Sequence, residues 1–236
     1  MIVLTIPYHS GDRDRASELC KLIGEIESER RNDWAVRLVA RFDCEHIDTL
    51  SMNAVGRRFD MSWTKTEPHA VGWPAGPNMM ARQILHSVPR WLEDCGWSNA
   101  TGIMFMEPDC VPLSRDWLTK LAAEWEIARA NGKRIMGSWR DSGVPMGHIN
   151  GNCIITPESA MGLARHINQY FAWDCAISPY VRNHWHITSL IRNDFEGKNA
   201  TEELLRTPET GDVAPVMVHG YKDRSAQVIA RKWMNL

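Results

Sequence analysis

The stretch Gly102-Ile103-Met104-Phe105-Met106-Glu107-Pro108-Asp109-Cys110-Val111-Pro112 decides how the chain reads. Ile103 to Met106 are large, apolar and consecutive, the pattern of a strand covered on both faces. They run straight into Glu107 and Asp109. In open α/β sheets ligands bind outside the carboxyl ends of the strands, so the two acids fall where a ligand would be held. Acids spaced i, i+2 on a chain leaving a strand can turn toward one point, where they repel unless a cation separates them. A hard divalent ion accepts carboxylate together with phosphate oxygen. A plainer reading is an Asp capping the next helix beside a solvated Glu, and the local sequence leaves both open.

Working outward, residues 2–6 form a continuous apolar run ended by Pro7, which reads as a buried strand. Apolar residues at Ala16, Leu19, Cys20, Ile23 and Ile26 then recur at helical spacing. Residues 35–42 alternate Val36, Leu38, Ala40 and Phe42 against Arg37 and Arg41, a second strand. Strand, helix, strand opens a parallel α/β sheet. Residues 46–58 read as a short helix, 60–77 as a functional loop rich in Pro, Gly and Trp, and 78–94 as a helix capped by Asn78. Ser114 is the expected N-cap of the helix carrying Trp117, Leu118, Leu121 and Trp125. Strands are expected at 134–139, 152–155, 186–191 and 213–218, and helices from Thr156-Pro157-Glu158 and over 173–182. With no repeat, low-complexity tract or linker, residues 1–236 are expected to form one domain.

Composition bounds the function. Apolar residues make up 44% and charged residues 24%, the balance of a globular protein. No segment approaches the roughly 20 apolar residues that span a bilayer, and the amino terminus lacks the features of a signal peptide. A cytoplasmic protein without membrane insertion is expected, in the host cytoplasm if the gene belongs to a phage. Its six cysteines contain no Cys-x-x-Cys pair and read as reduced, packed thiols. A net charge of −2 provides no global basic footprint for nucleic acid, although Arg13/Arg15, Arg30/Arg31, Arg57/Arg58 and Arg231/Lys232 form local clusters. Eleven tryptophans exceed what such a core needs, and some are expected to line a cleft.

An apolar strand, then acid-x-acid, then a turn and a helix resembles the metal-binding element of GT-A glycosyltransferases, with Glu107 in the first acidic position in place of the commoner Asp. Two further segments fit in order. Pro7-Tyr8-His9-Ser10-Gly11-Asp12 resembles the family's first strand end and nucleotide-binding loop. Val218-His219-Gly220-Tyr221-Lys222 resembles the strand-end histidine that completes the metal site, with a lysine reaching the diphosphate. The resemblance implies a GT-A-like (Rossmann-like) α/β fold with a mixed, mainly parallel central sheet flanked by helices. It also implies Mn²⁺ or Mg²⁺ at Glu107, Asp109 and His219, and a nucleotide-sugar donor, a UDP-sugar first, held by Pro7, Tyr8, His9, Ser10, Asp12, Asn78 and Lys222. The segment Gly147-His148-Ile149-Asn150-Gly151-Asn152 resembles the loop for acceptor and donor sugar, so His148, Asn150 and Asn152, with Trp73 and Trp173, are the substrate-binding candidates. Asp174 is the candidate base for the acceptor hydroxyl, with helix N-cap as its alternative role.

The acceptor is less legible. Anchorless transferases of this type resemble bacterial enzymes of surface polysaccharide and bacteriophage enzymes that glycosylate hydroxylated DNA bases, so a glycan, DNA or a nucleotide all remain open. A nucleotidyltransferase would carry a Gly-rich loop after the first strand, where only Gly11 stands. A phosphoesterase would need more acids beside His184 and His186. A non-catalytic carbohydrate- or nucleotide-binding module has little need of a complete metal-diphosphate site.

Overall fold

The computed structural model describes residues 1–141, 147–194, 199–208 and 213–236 of the chain. β1 (Ile2–Tyr8) runs up the middle of a seven-stranded sheet. It passes Pro7, because Tyr8 keeps register opposite Ala40 and its carbonyl accepts from Arg41 N at 2.8 Å. α1 (Arg13–Ile26) leads to β2 (Trp34–Ala40), parallel to β1, and α2 (Thr49–Gly56) leads to β3 (Asp60–Lys65), parallel to β2. All seven residues of β2 are buried, where the sequence suggested alternation. Arg37 is tolerated inside because its guanidinium lies over the Trp91 ring, 4.4 Å from the centroid.

β3 corrects the expected 60–77 loop. It is a half-exposed edge strand, polar enough to hide its period, and Trp63 anchors it by donating from Nε1 to the Tyr8 hydroxyl at 2.8 Å. α3 (Ala75–Asp94) starts before the expected cap, with Pro74 at the N-cap position. Asn78 therefore sits inside the helix. Its buried Nδ2 donates to the carbonyls of Asn168 and Phe171. α3 returns the chain to β4 (Gly102–Phe105), which pairs with the opposite side of β1. The strand order reverses between β1 and β4, and this switch point is where α/β sheets open a crevice.

The chain continues through β5 (Val111–Pro112) to α4 (Trp117–Ala130), whose N-cap is Asp116 rather than Ser114. β6 (Ile135–Arg140) and β7 (His148–Ile155) extend the large sheet, and β7 makes a strand of most of the segment expected as the 147–152 loop. Polar Asn150 and Asn152 masked a strand that is buried along its whole length. α5 (Pro157–Ala164) starts after Thr156 as expected. α6 (Trp173–Val181) has Ala172 at its N-cap, so Asp174 lies within the helix's first turn and does not cap it.

The strand expected at 186–191 divides into β8 (Trp185–Ile187) and β9 (Ile191–Asn193), which join different sheets. After α7 (Glu202–Arg206), β10 (Met217–His219) begins later than the expected 213–218 strand, and α8 (Ser225–Met234) follows. The large sheet has the order β3-β2-β1-β4-β7-β6-β8, in which β7 runs against its neighbours, and β5-β10-β9 form a small second sheet.

The pleat divides the core between the faces of the large sheet. Leu4, Ile6 and Val36 pack with Leu19, Ile23, Trp117 and Trp125, while Val3, Ala35 and Ile103 pack with Leu85, Val88, Leu163 and Ile177. All six cysteines are free thiols, five of them buried. Among the described residues no helix is long and apolar enough to cross a membrane.

Candidate active site

A cleft of about 570 Å³ opens over the carboxyl ends of β1 and β4 and the start of the antiparallel β7. β1 delivers Pro7, Tyr8 and His9, and the turn after it delivers Asp12. The chain leaving β4 delivers Glu107, Pro108 and Asp109, and β10 delivers His219, with Gly220 and Lys222 just beyond. Gly220 has φ of +110°, a left-handed turn that glycine adopts without strain and that carries the chain from His219 toward Lys222.

At the centre His219 Nε2 lies 2.6 Å from Glu107 Oε2 and 3.1 Å from Asp109 Oδ1. His219 is buried, and burial by itself would lower its pKa. The two carboxylates outweigh that and raise it to about 10. Burial pushes Asp109 upward, but His219 and Lys222 together hold it below the usual carboxylate value. The other imidazole nitrogen, Nδ1, faces Asn193 Oδ1 at 3.1 Å, and Asn193 Nδ2 in turn donates to Ser138 Oγ. That network orients Nε2 toward the acids. The ligand atoms of Glu107, Asp109 and His219 all lie within 4.8 Å of one another. Two carboxylates and an imidazole suit Mn²⁺ or Mg²⁺ in donor type, and the paired acids gather negative charge that a cation would offset.

Behind this centre stands Asn152. It is fully buried and its Oδ1 accepts from Glu107 N at 2.8 Å and from the Cys110 thiol at 3.0 Å. Asn150 Oδ1 accepts from both the backbone N and the Nδ2 of Asn152, each at 3.0 Å. Asn152 is thus a brace for the acidic turn and does not line the cleft, which corrects its expected role as a sugar contact; Asn150 does line it. Ser10 also lies outside the lining, exposed in a short 3-10 turn that covers Ser10–Asp12.

On the β7 side, Asp174 is buried at the start of α6. Its Oδ2 accepts from Gly151 N at 2.9 Å and its Oδ1 from Cys175 N at 2.8 Å, with His148 Nε2 at 3.6 Å from Oδ2. Burial raises its pKa above the ordinary value, against the pull of His148. Trp173 packs against Phe105 with ring centroids 5.0 Å apart, and Trp73 projects at the mouth with 78% of its surface exposed. Both line the cleft, as do Asn78 and His148.

Tyr8 lines the floor, but its ring is buried and its hydroxyl is committed to Trp63 and to the Glu45 carbonyl. His9 Nε2 pairs with Asp12 Oδ2 at 2.8 Å and its Nδ1 accepts from Gly11 N at 2.9 Å, so both ring nitrogens are engaged at the edge of the cleft. His186, one of the two histidines a phosphoesterase would build on, meets Glu124 Oε1 at 2.8 Å. Sequence reasoning missed Arg41, Met80, Phe105 and Cys175 among the lining residues. Arg41 follows β2 directly and falls in the alternation the sequence suggested over 35–42, where nothing distinguishes a cleft residue from a solvated one.

No family model matches the sequence, and no curated protein matches it. Solved structures do match. The galactosyltransferase LgtC, in complex with donor and acceptor sugar analogs, aligns with a TM-score of 0.59 at 8% identity, over 98% of this chain and 95% of that one. Mouse xyloside xylosyltransferase 1 aligns at 0.57 and 8% identity, over 94% and 99%. A glycosyltransferase involved in glycosylation of the major capsid of PBCV-1 aligns at 0.55 and 9% identity, over 99% and 98%. At such identities the likeness speaks for the fold. The chain has the GT-A fold of these glycosyltransferases, with acidic groups gathered as a metal site would need.

Proposed function

We propose that residues 1–236 form one catalytic unit, a metal-dependent glycosyltransferase that moves a sugar from a nucleoside-diphosphate sugar, a UDP-sugar first, to an acceptor hydroxyl on a glycan. The observation that carries this reading is the convergence of Glu107, Asp109 and His219 at the switch point of a GT-A sheet, within a cleft large enough for a small ligand. When bound there, a divalent cation supplies positive charge against the departing diphosphate.

The chain's own residues do the rest. Lys222 adds a fixed positive charge beside Asp109, on the side where the leaving phosphate gathers negative charge. Pro7, His9 and Asp12 border the nucleotide end, and Trp73 and Trp173 offer flat faces to a sugar. Sugar transfer proceeds through an oxocarbenium-like state, and the attacking hydroxyl must lose its proton. Asp174 is the acceptor base. A buried carboxylate with a raised pKa holds a proton better than a solvated one, which is what a general base requires.

A glycan stands ahead of a hydroxylated DNA base as acceptor, because three of the four basic clusters spend charge on acidic partners. Arg15 pairs with Asp12, Arg30 with Asp60, Arg31 with Asp33, Arg231 with Glu25 and Lys232 with Glu202. The test is release of nucleoside diphosphate from a panel of nucleotide-sugars with Mn²⁺ and glycan acceptors. Asp174→Asn should keep nucleotide binding while transfer falls by roughly 10²–10⁴-fold. Full transfer by that variant would remove Asp174 from the chemistry.

A further inference from the structure

Across the cleft from the acidic centre lies a second group of ligand-bearing side chains, of different chemistry. His148 opens β7, and Asp174 and Cys175 occupy the first turn of α6. One ligand atom from each lies within 4.8 Å of the others, and all three residues are buried yet line the cleft. Cys175 lies against the Asp174 carboxylate, while His148 is held more loosely: its Nε2 stands 3.6 Å from Asp174 Oδ2, beyond good hydrogen-bond range, and its buried Nδ1 has no partner among the described residues. An imidazole more than nine-tenths buried, with a carboxylate and a thiol in reach of one point, is a ready metal ligand.

We propose that His148, Asp174 and Cys175 form a second divalent-cation site, one that takes a borderline ion such as Zn²⁺ in preference to Mg²⁺ or Mn²⁺. A thiolate, an imidazole and a carboxylate make a three-ligand zinc set, and the cleft leaves the fourth position open. Glu107, Asp109 and His219 provide no sulfur, so the two centres differ in softness as well as place. Charge also balances. The Cys175 thiol proton passes to solvent as the zinc–sulfur bond forms, and thiolate plus carboxylate neutralise the dication with no change of oxidation state.

Occupancy has a functional consequence that rests on the reading of Asp174 as acceptor base. Zinc would hold the carboxylate lone pair that the acceptor hydroxyl needs, so micromolar Zn²⁺ would inhibit a Mn²⁺-supported transferase. The site itself does not depend on that reading.

The test is a titration of the full chain with Co²⁺, followed by optical absorption and then by addition of Zn²⁺. A sulfur-to-cobalt charge-transfer band reports a cysteine ligand, which the acidic centre does not contain. The band should appear at one equivalent, bleach on one equivalent of Zn²⁺, persist in Asp109→Asn and vanish in Cys175→Ser. Zn²⁺ affinity should fall at least about tenfold in His148→Gln, which decides the matter if far-UV circular dichroism shows Cys175→Ser misfolded. Absence of the band from the wild-type chain overturns the proposal, as does a band that survives Cys175→Ser or unaltered zinc affinity in His148→Gln. Stabilisation by UDP with Mn²⁺, read on the same preparations, separates the two ideas: a cobalt band without nucleotide binding leaves the site standing and the transferase reading fallen, and the reverse result does the opposite.

Discussion

Asn152 shows most clearly how a single side chain sets the site. Its amide holds the backbone of Glu107 and the thiol of Cys110 from inside the sheet, and is itself held by Asn150. Asn152→Ala leaves a Glu107 N–H and a Cys110 thiol without their acceptor. We expect a loss of about 1–3 kcal/mol in urea unfolding, because an orphaned buried polar group keeps its full desolvation cost. Divalent-metal affinity should fall by roughly 10–100-fold, as it does when groups behind a ligand are lost. Unchanged stability and metal affinity would show that the brace is not needed. At this scale the sequence was legible where chemistry concentrates: Glu107, Asp109, His219 and Lys222 come together as their motifs implied. Asn152 was not, because an Asn that faces a sugar and an Asn that supports a turn look alike until the strand's inward face is known. Asp174 could be read as cap or base, and only the position of Ala172 at the N-cap removed the first choice.

At the scale of elements, caps and apolar periods set most boundaries. Asp48 stops the chain before α2, and its carboxylate accepts from Ser51 N at 3.0 Å and from Ser51 Oγ at 2.6 Å. The Ser51 hydrogen bond is the largest effect on Asp48, and its pKa falls to about 2. A carboxylate whose folded pKa is depressed contributes stability above its unfolded value near 3.8, and that contribution is lost as pH falls through about 2. Asp48→Ala should therefore cost about 1 kcal/mol at neutral pH, measured by urea melts, with the gap from wild type closing below pH 2. A gap that persists in acid would mean the cap acts through packing. Strands β1 and β4 were readable because apolar runs covered on both faces have few alternatives. β3 was not, since in Asp-Met-Ser-Trp-Thr-Lys only Met61 and Trp63 carry the alternation, and β7 was shortened because buried asparagines interrupt its apolar run. The break between β8 and β9 comes from tertiary structure, with each strand finding a partner in a different sheet.

For the whole molecule, the fold class followed from strand, helix, strand at the start and a buried strand ending in acids at the middle. Which side of β1 receives β4 was not in the sequence, and that choice creates the cleft. Several surface arginines sit in local ion pairs, and the net charge is −2. Duplex DNA should accordingly bind without the steep salt dependence that phosphate neutralisation produces, checked by fluorescence anisotropy between 50 and about 200 mM salt. Tight binding that weakens steeply across that range would return a DNA acceptor to first place. We propose above all that Glu107, Asp109 and His219 hold a metal on which nucleotide binding depends. Thermal unfolding with UDP, with and without Mn²⁺ and with chelator, tests it directly, in the wild type and in Asp109→Ala. We expect stabilisation of about 2.7 kcal/mol at a hundredfold excess of UDP over its dissociation constant, present only with metal and absent from the variant. Stabilisation that survives both the chelator and Asp109→Ala, or no stabilisation by any nucleotide, would contradict it.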